Sequence, residues 1–89
     1  MITIWSIEKN KDKWFGDKFA CRNFCREHDI DIWDDESLED EIYDTLWGIA
    51  ETDDTYNDYL RNSISGHDEV SEYISKVCGI IWDGVINAR

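Results

Sequence analysis

The stretch Ser37-Leu38-Glu39-Asp40-Glu41-Ile42-Tyr43-Asp44-Thr45-Leu46-Trp47-Gly48-Ile49-Ala50 carries the clearest fold signal in the chain. Leu38, Ile42, Leu46 and Ile49 recur at the spacing of one helical face, so the segment reads as an amphipathic helix with these side chains turned inward. Ser37 followed three positions later by Asp40 resembles a capping box, which starts the helix there and carries it to about Ala50. On the other side Glu36, Asp40 and Asp44 fall at i, i+4 and i+8, a ridge of like charges about 6 Å apart at 1.5 Å rise per residue.

The ridge belongs to a larger acidic block. Residues 27–60 hold fourteen Asp and Glu and no Lys or Arg, against six basic and three acidic side chains in residues 1–26, and the whole 89-residue chain has a net charge of −12. The carboxylates are Glu27, Asp29, Asp31, Asp34, Asp35, Glu36, Glu39, Asp40, Glu41, Asp44, Glu51, Asp53, Asp54 and Asp58, with Trp33, Tyr43, Trp47 and Tyr56 interleaved. Each like-charge i,i+4 pair costs roughly 0.2–0.5 kcal/mol, so several take about 1–2 kcal/mol from a folding free energy near 5–15 kcal/mol. The field of the helix N-terminus offsets part of this at Glu36, Glu39 and Asp40. A chain selected for stability alone would intersperse lysines.

Further helices are read on either side. Asp17 can cap one through about Asp29, with Cys21, Phe24, Cys25 and His28 on one face. Asp54 can cap another that buries Tyr56, Tyr59, Leu60 and Ile64 and ends at Gly66. Asp68 can cap a last one with Val70, Tyr73, Ile74 and Val77 inward. The β-branched and aromatic run Ile2-Thr3-Ile4-Trp5-Ser6-Ile7 reads as a strand, Asn10 to Asp17 as a polar loop, and the alternating Asp29-Ile30-Asp31-Ile32-Trp33 as a second short strand. Gly79 to Ile86 either continues the last helix or pairs as a strand with residues 2–7, and Asp83 beside Gly84 reads as a turn. The expected fold is α+β: a small compact single acidic domain over residues 1–89, mainly helical with about four helices, and a short two- or three-stranded sheet.

Composition narrows the class. At 42% hydrophobic residues, with five Trp, four Tyr and three Phe, the chain has enough apolar surface to fold, unlike a disordered acidic tail. No run reaches the ~20 apolar residues that span a bilayer, the start lacks the basic region of a signal peptide, and three cysteines make no disulfide framework. A cytoplasmic protein is expected, in the host cytoplasm if the source is viral. The charge disfavours binding to nucleic acid or anionic lipid directly.

Three chemical constellations are weighed. Cys21, Cys25 and His28, with Cys78 as a fourth ligand, form a weak zinc candidate, against the plainer reading of buried thiols. Asp29 to Glu36 lacks the turn glycine and ligand spacing of a calcium loop. No phosphate loop, nucleophile elbow or zincin motif appears, so neither an enzyme nor a cofactor is expected.

Carboxylates at helical repeats lie on the same order of spacing as the phosphates of a nucleic-acid strand. The expected function is therefore a stoichiometric inhibitor of the nucleic-acid-mimic type. It would bind a basic nuclease or other nucleic-acid-binding effector, as phage anti-defence proteins of the anti-CRISPR or anti-restriction kind do. Asp31, Asp34, Asp35, Glu36, Asp40, Asp44, Glu51, Asp54 and Asp58 would make the contact, with Trp33, Tyr43 and Trp47 as anchors. One alternative is an immunity or antitoxin-like protein neutralising a basic nuclease toxin. Another is a self-association module, including a homodimer, in which Trp5, Trp14, Phe15 and Trp82 form the surface and the basic first third meets the acidic middle of another copy.

Overall fold

The computed structural model describes residues 4–53 and 66–89, and among them five helices and no strand. The elements are α1 (Trp5–Glu8), α2 (Lys11–Phe15), α3 (Lys18–Glu27), α4 (Leu38–Glu51) and α5 (Gly66–Ala88). Helices α2, α3 and α4 pack against α5, α2 also packs on α3, and α1 packs on α4.

Helix α5 organises the molecule because its apolar residues hold the 3.6-residue period for its full length. Val70, Ile74, Val77, Cys78, Ile81 and Val85 are all buried. Ile81 and Val85 prolong the stripe begun by Val70, so residues 79–86 are helix, and Asp83 with Gly84 lies inside it rather than in a turn. Gly66, expected to end a helix, is the first residue of α5, and Asp68 lies in its first turn. The expected helix over Asp54 to Ile64 falls outside the described residues.

The expected sheet is absent among the described residues, and the α+β assignment gives way to an all-helical one. At Ile4-Trp5-Ser6-Ile7 the β propensity is overridden by packing: as a turn of helix, Ile4 and Ile7 lie at i and i+3 on one side and both are fully buried. The freed backbone is satisfied from afar, since the buried Asp53 carboxylate accepts the Ser6 N–H at 2.7 Å. The Asn10 to Asp17 loop contains α2, formed because Trp14 must be buried and Phe15 half-buried on the same core.

The alternation at residues 29–33 is a helix stop, not a strand. Asp29 adopts φ 55° just past α3, the Ile30 N–H reaches the Cys25 carbonyl at 2.9 Å, and the Asp29 N–H reaches that of Arg26 at 3.4 Å. These two bonds and the burial of Ile30 make a Schellman motif with Asp in the position glycine usually takes. Asp31 then accepts the Trp33 N–H at 2.9 Å and turns the chain again.

Other expectations hold. The Asp17 carboxylate accepts the Ala20 N–H at 2.8 Å and caps α3, whose Cys21, Phe24 and Cys25 are buried. Leu38, Ile42 and Leu46 are buried on α4, joined by Ala50, while Ile49 is half-buried. The Ser37 and Asp40 capping box does not form: the Ser37 side chain makes no capping bond. Asp34 takes that part, its carboxylate accepting from the Ser37 N–H at 3.2 Å and its carbonyl from the Leu38 N–H at 2.9 Å.

Helix α3 packs tightly against α5 at Gly84. A Cβ there would lie 2.3 Å from the Cys21 Sγ and 2.9 Å from its Cβ, distances that no packed side chain tolerates. Gly84→Ala is expected to cost about 1–3 kcal/mol by urea denaturation, because the helices must separate or Cys21 must leave its rotamer. Gly79→Ala, with nothing within 4 Å of the added methyl, is expected to stabilise by up to about 1 kcal/mol. Equal effects at the two positions would show that the crossing is not the cause.

Candidate protein-binding face

The acidic block separates into three groups by what each carboxylate touches. Glu27 and Asp35 are paired with cations. Glu27 binds Lys13 at 2.7 Å and accepts the Trp14 indole N–H at 2.7 Å, and these bonds, Lys13 foremost, hold its carboxyl below the usual range. Asp35 pairs with Arg89. Asp31, Asp34 and Asp53 accept backbone N–H groups, as described above. Asp29, Glu36, Glu39, Asp40, Glu41, Asp44 and Glu51 are exposed with no cation paired to them among the described residues.

The third group carries the face. Helix α4 contains no basic residue, and its buried stripe of Leu38, Ile42 and Leu46 turns Asp40, Asp44 and Glu51 to the opposite side. Glu36 lies in the turn before α4, so the helical ridge begins at Asp40 rather than at Glu36. Tyr43 and Trp47 border the acids, both half-buried, with ring centroids 6.4 Å apart in an edge-to-face arrangement. The Tyr43 hydroxyl lies 3.3 Å from the Ser71 hydroxyl of α5, and this bond, with Trp47 and Ser75 behind it, lowers the phenol's pKa. Tyr43 thus ties α4 to α5, and both rings stay partly exposed.

The remaining predicted residues form a second patch on the loop from Asp31 to Glu36. Trp33 is 66% exposed. Arg89, just past α5, fixes this loop: its guanidinium donates to the Ile32 carbonyl at 2.8 Å, pairs with Asp35 and sits 5.8 Å from the Trp33 ring centroid. Arg89 is the residue that sequence reasoning missed, since a contact across 54 positions leaves no local pattern. Asp54 and Asp58 lie outside the described residues.

The aromatics assigned to a self-association surface do not share one. Trp14 is buried against Phe24 and His28, Phe15 and Trp82 are half-buried on the core, and Trp5 is exposed.

The zinc candidates are likewise used for packing. Cys21 donates to the Ile80 carbonyl at 3.7 Å, Cys78 to that of Glu39 at 3.5 Å, and the His28 Nδ1–H to that of Phe24 at 2.8 Å. Among the described residues no group of three or more His, Cys, Asp or Glu is placed to hold a metal ion. Burial pushes the thiols of Cys21 and Cys78 up to about 11 and that of Cys25 up to about 12, with nearby carboxylates adding to the shift.

Protonated buried thiols predict two outcomes. Ellman's reagent at pH 8 should find none of the three thiols in the native protein and all three in denaturant. Because the folded values lie above the ordinary 9.0, stability should hold below pH 9 and fall as pH rises through about 11–12. Fast labelling of native Cys25 would contradict this.

Comparison with protein-family models, with curated proteins and with solved structures returns no match. No described helix is long and apolar enough to cross a membrane.

Proposed function

We propose that the protein is a stoichiometric inhibitor whose acidic α4 face occupies the basic groove of a nucleic-acid-binding protein. One observation carries the reading: α4 exposes Glu39, Asp40, Glu41, Asp44 and Glu51 without a basic residue on the helix or a paired cation among the described residues.

Glu39, Asp40 and Glu41 gain from the field of the α4 N-terminus, but Asp44 and Glu51 lie beyond its first turn and serve neither a cap nor an ion pair among the described residues. The acids of α4 are left in water, where their mutual repulsion costs stability and their summed field attracts a positive surface. Asp40 and Asp44 repeat at about 6 Å along the helix, on the order of a nucleic-acid backbone's charge spacing, which fits a groove lined by Lys and Arg. Tyr43 and Trp47, partly exposed beside the acids, are residue types that anchor interfaces. Such a partner would be a nuclease, a restriction enzyme or a CRISPR effector, as in a phage anti-defence role. An immunity protein against a basic nuclease toxin would use the same face.

The test is a charge reversal. Capture of a basic nucleic-acid-binding protein from host lysate should be strong at low salt and fade as salt rises. Asp40→Lys, Asp44→Lys and Glu51→Lys together should weaken it at least ~100-fold, since each exposed charge at a complementary interface contributes about 1 kcal/mol or more. The helical circular-dichroism spectrum should be unchanged. Full retention by a folded triple variant would sink the proposal.

A further inference from the structure

Basic residues also line up along one helix. Lys18, Arg22 and Arg26 repeat at i, i+4 and i+8 along α3 and are all exposed. Lys18 sits 5.4 Å from the centroid of the Phe19 ring, and Arg26 donates to the Asn23 side chain at 3.0 Å. Among the described residues neither Arg22 nor Arg26 pairs with a carboxylate, although the chain carries 21 of them to nine Lys and Arg.

Both arginines line an open groove of about 520 Å³ between α3 and the following loop. Its apolar surface comes from Phe19, which is 63% exposed, and from Ile30 and Ile32, with Asp31 at the edge. The groove therefore suits a flat apolar group flanked by carboxylates. A lone anion would meet the carboxylate of Asp31 and gain nothing from the apolar walls.

Such a group stands next to the groove. Trp33 follows Ile32 directly, is 66% exposed, and is followed by Asp34, Asp35 and Glu36. Its ring is outside the groove of its own chain, which Asp31 and Ile32 line. When an exposed knob and its complementary hole are adjacent on one surface, a two-fold axis between two copies fills both holes at once and closes the assembly.

We propose that the chain forms a two-fold dimer in which Trp33 of each copy lies in the partner's groove against Phe19, with the carboxylate of Glu36 meeting Arg22 and Arg26. The guanidinium groups then gain the anionic partner they lack within one chain, and two large exposed rings per copy leave water together. Asp35 remains with Arg89, which holds the loop in the presenting position. The contact is small, and each copy carries a net charge of −12, so the dimer is weak and the long-range repulsion opposes it most at low salt.

Sedimentation equilibrium of the full chain from ~10 µM to ~1 mM at near-physiological salt tests this. The expected result is a reversible monomer–dimer equilibrium, with Trp33→Ala and the double variant Arg22→Glu, Arg26→Glu each raising the dissociation constant at least tenfold. All these side chains are exposed, so unchanged helicity by circular dichroism is the control. Mixing the two variants should recover part of the association, because one of the two reciprocal contacts is then intact. A wild-type monomer throughout, or a dimer of the same affinity in Trp33→Ala, overturns the proposal. A wild-type monomer that instead binds a synthetic Trp-Asp-Asp-Glu peptide also overturns it and gives the groove to another chain. None of these measurements uses the basic partner, so their outcome is independent of the function proposed for α4.

Discussion

The close approach of α3 and α5 at Gly84 sets the arrangement of everything else. With no side chain at that position, the Cys21 thiol lies almost on the α5 backbone and donates to the Ile80 carbonyl. Residue 84 must therefore be small, and residue 21 must be small and tolerant of burial; a free cysteine meets both requirements. Once α3 is held there, Phe24 and Cys25 face the core, and Trp14 can stack edge-on against Phe24 and His28, which draws α2 in. Helix α4 docks on another part of α5, where Cys78 donates to the Glu39 carbonyl at the start of α4. Cys21 and Cys78 thus sit where helices meet, and burial is the largest cause of the raised pKa values of all three thiols.

Helix period was legible where it was long and capped. The faces of α3 and α4, and the first half of α5, could be read from apolar spacing, with Asp17 marking the start of α3, whereas the Ser37 and Asp40 capping box read at the start of α4 does not form. The short elements were not legible. Ile4 and Ile7 satisfy both a strand's chemistry and a one-turn helix, and the choice is made by Asp53, 47 positions away, which accepts from the Ser6 N–H. The alternation of residues 29–33 arises because a Schellman stop needs a buried residue at Ile30 and a residue tolerant of positive φ at Asp29, so a period of two appears without a strand. The polar appearance of Lys11-Asp12-Lys13-Trp14-Phe15 hides a helix because two adjacent aromatics bury its inner side.

The candidate face was legible in composition but not in allocation. Fourteen carboxylates without a counter-charge mark the region. Only the three-dimensional structure shows that Asp31, Asp34 and Asp53 accept backbone N–H groups, that Glu27 and Asp35 are tied to Lys13 and Arg89, and that the described acids left over are Asp29, Glu36 and those of α4. The distinction matters energetically. An acid that satisfies an orphan N–H contributes on the order of 1 kcal/mol and would be kept by any stable version of this fold. The exposed acids of α4 contribute little beyond its first turn and repel one another.

Segregation of charge is what makes those leftover acids informative. Solubility needs net charge, but it does not need the charges sorted, and interspersed Lys and Glu at i and i+4 would have stabilised both α3 and α4. Instead α3 exposes Lys18, Arg22 and Arg26 while α4 exposes only acids, and each helix docks on α5 rather than using its charges to hold the other. A single exchange, such as a lysine at position 44 with a glutamate at position 22, would lower the repulsion on both helices without touching a buried residue. That this inexpensive relief is absent from both helices places the two charged faces outside the requirements of folding. The two proposals give each face a surface of matching chemistry: a basic groove for α4, and an aromatic flanked by a carboxylate for the groove beside α3.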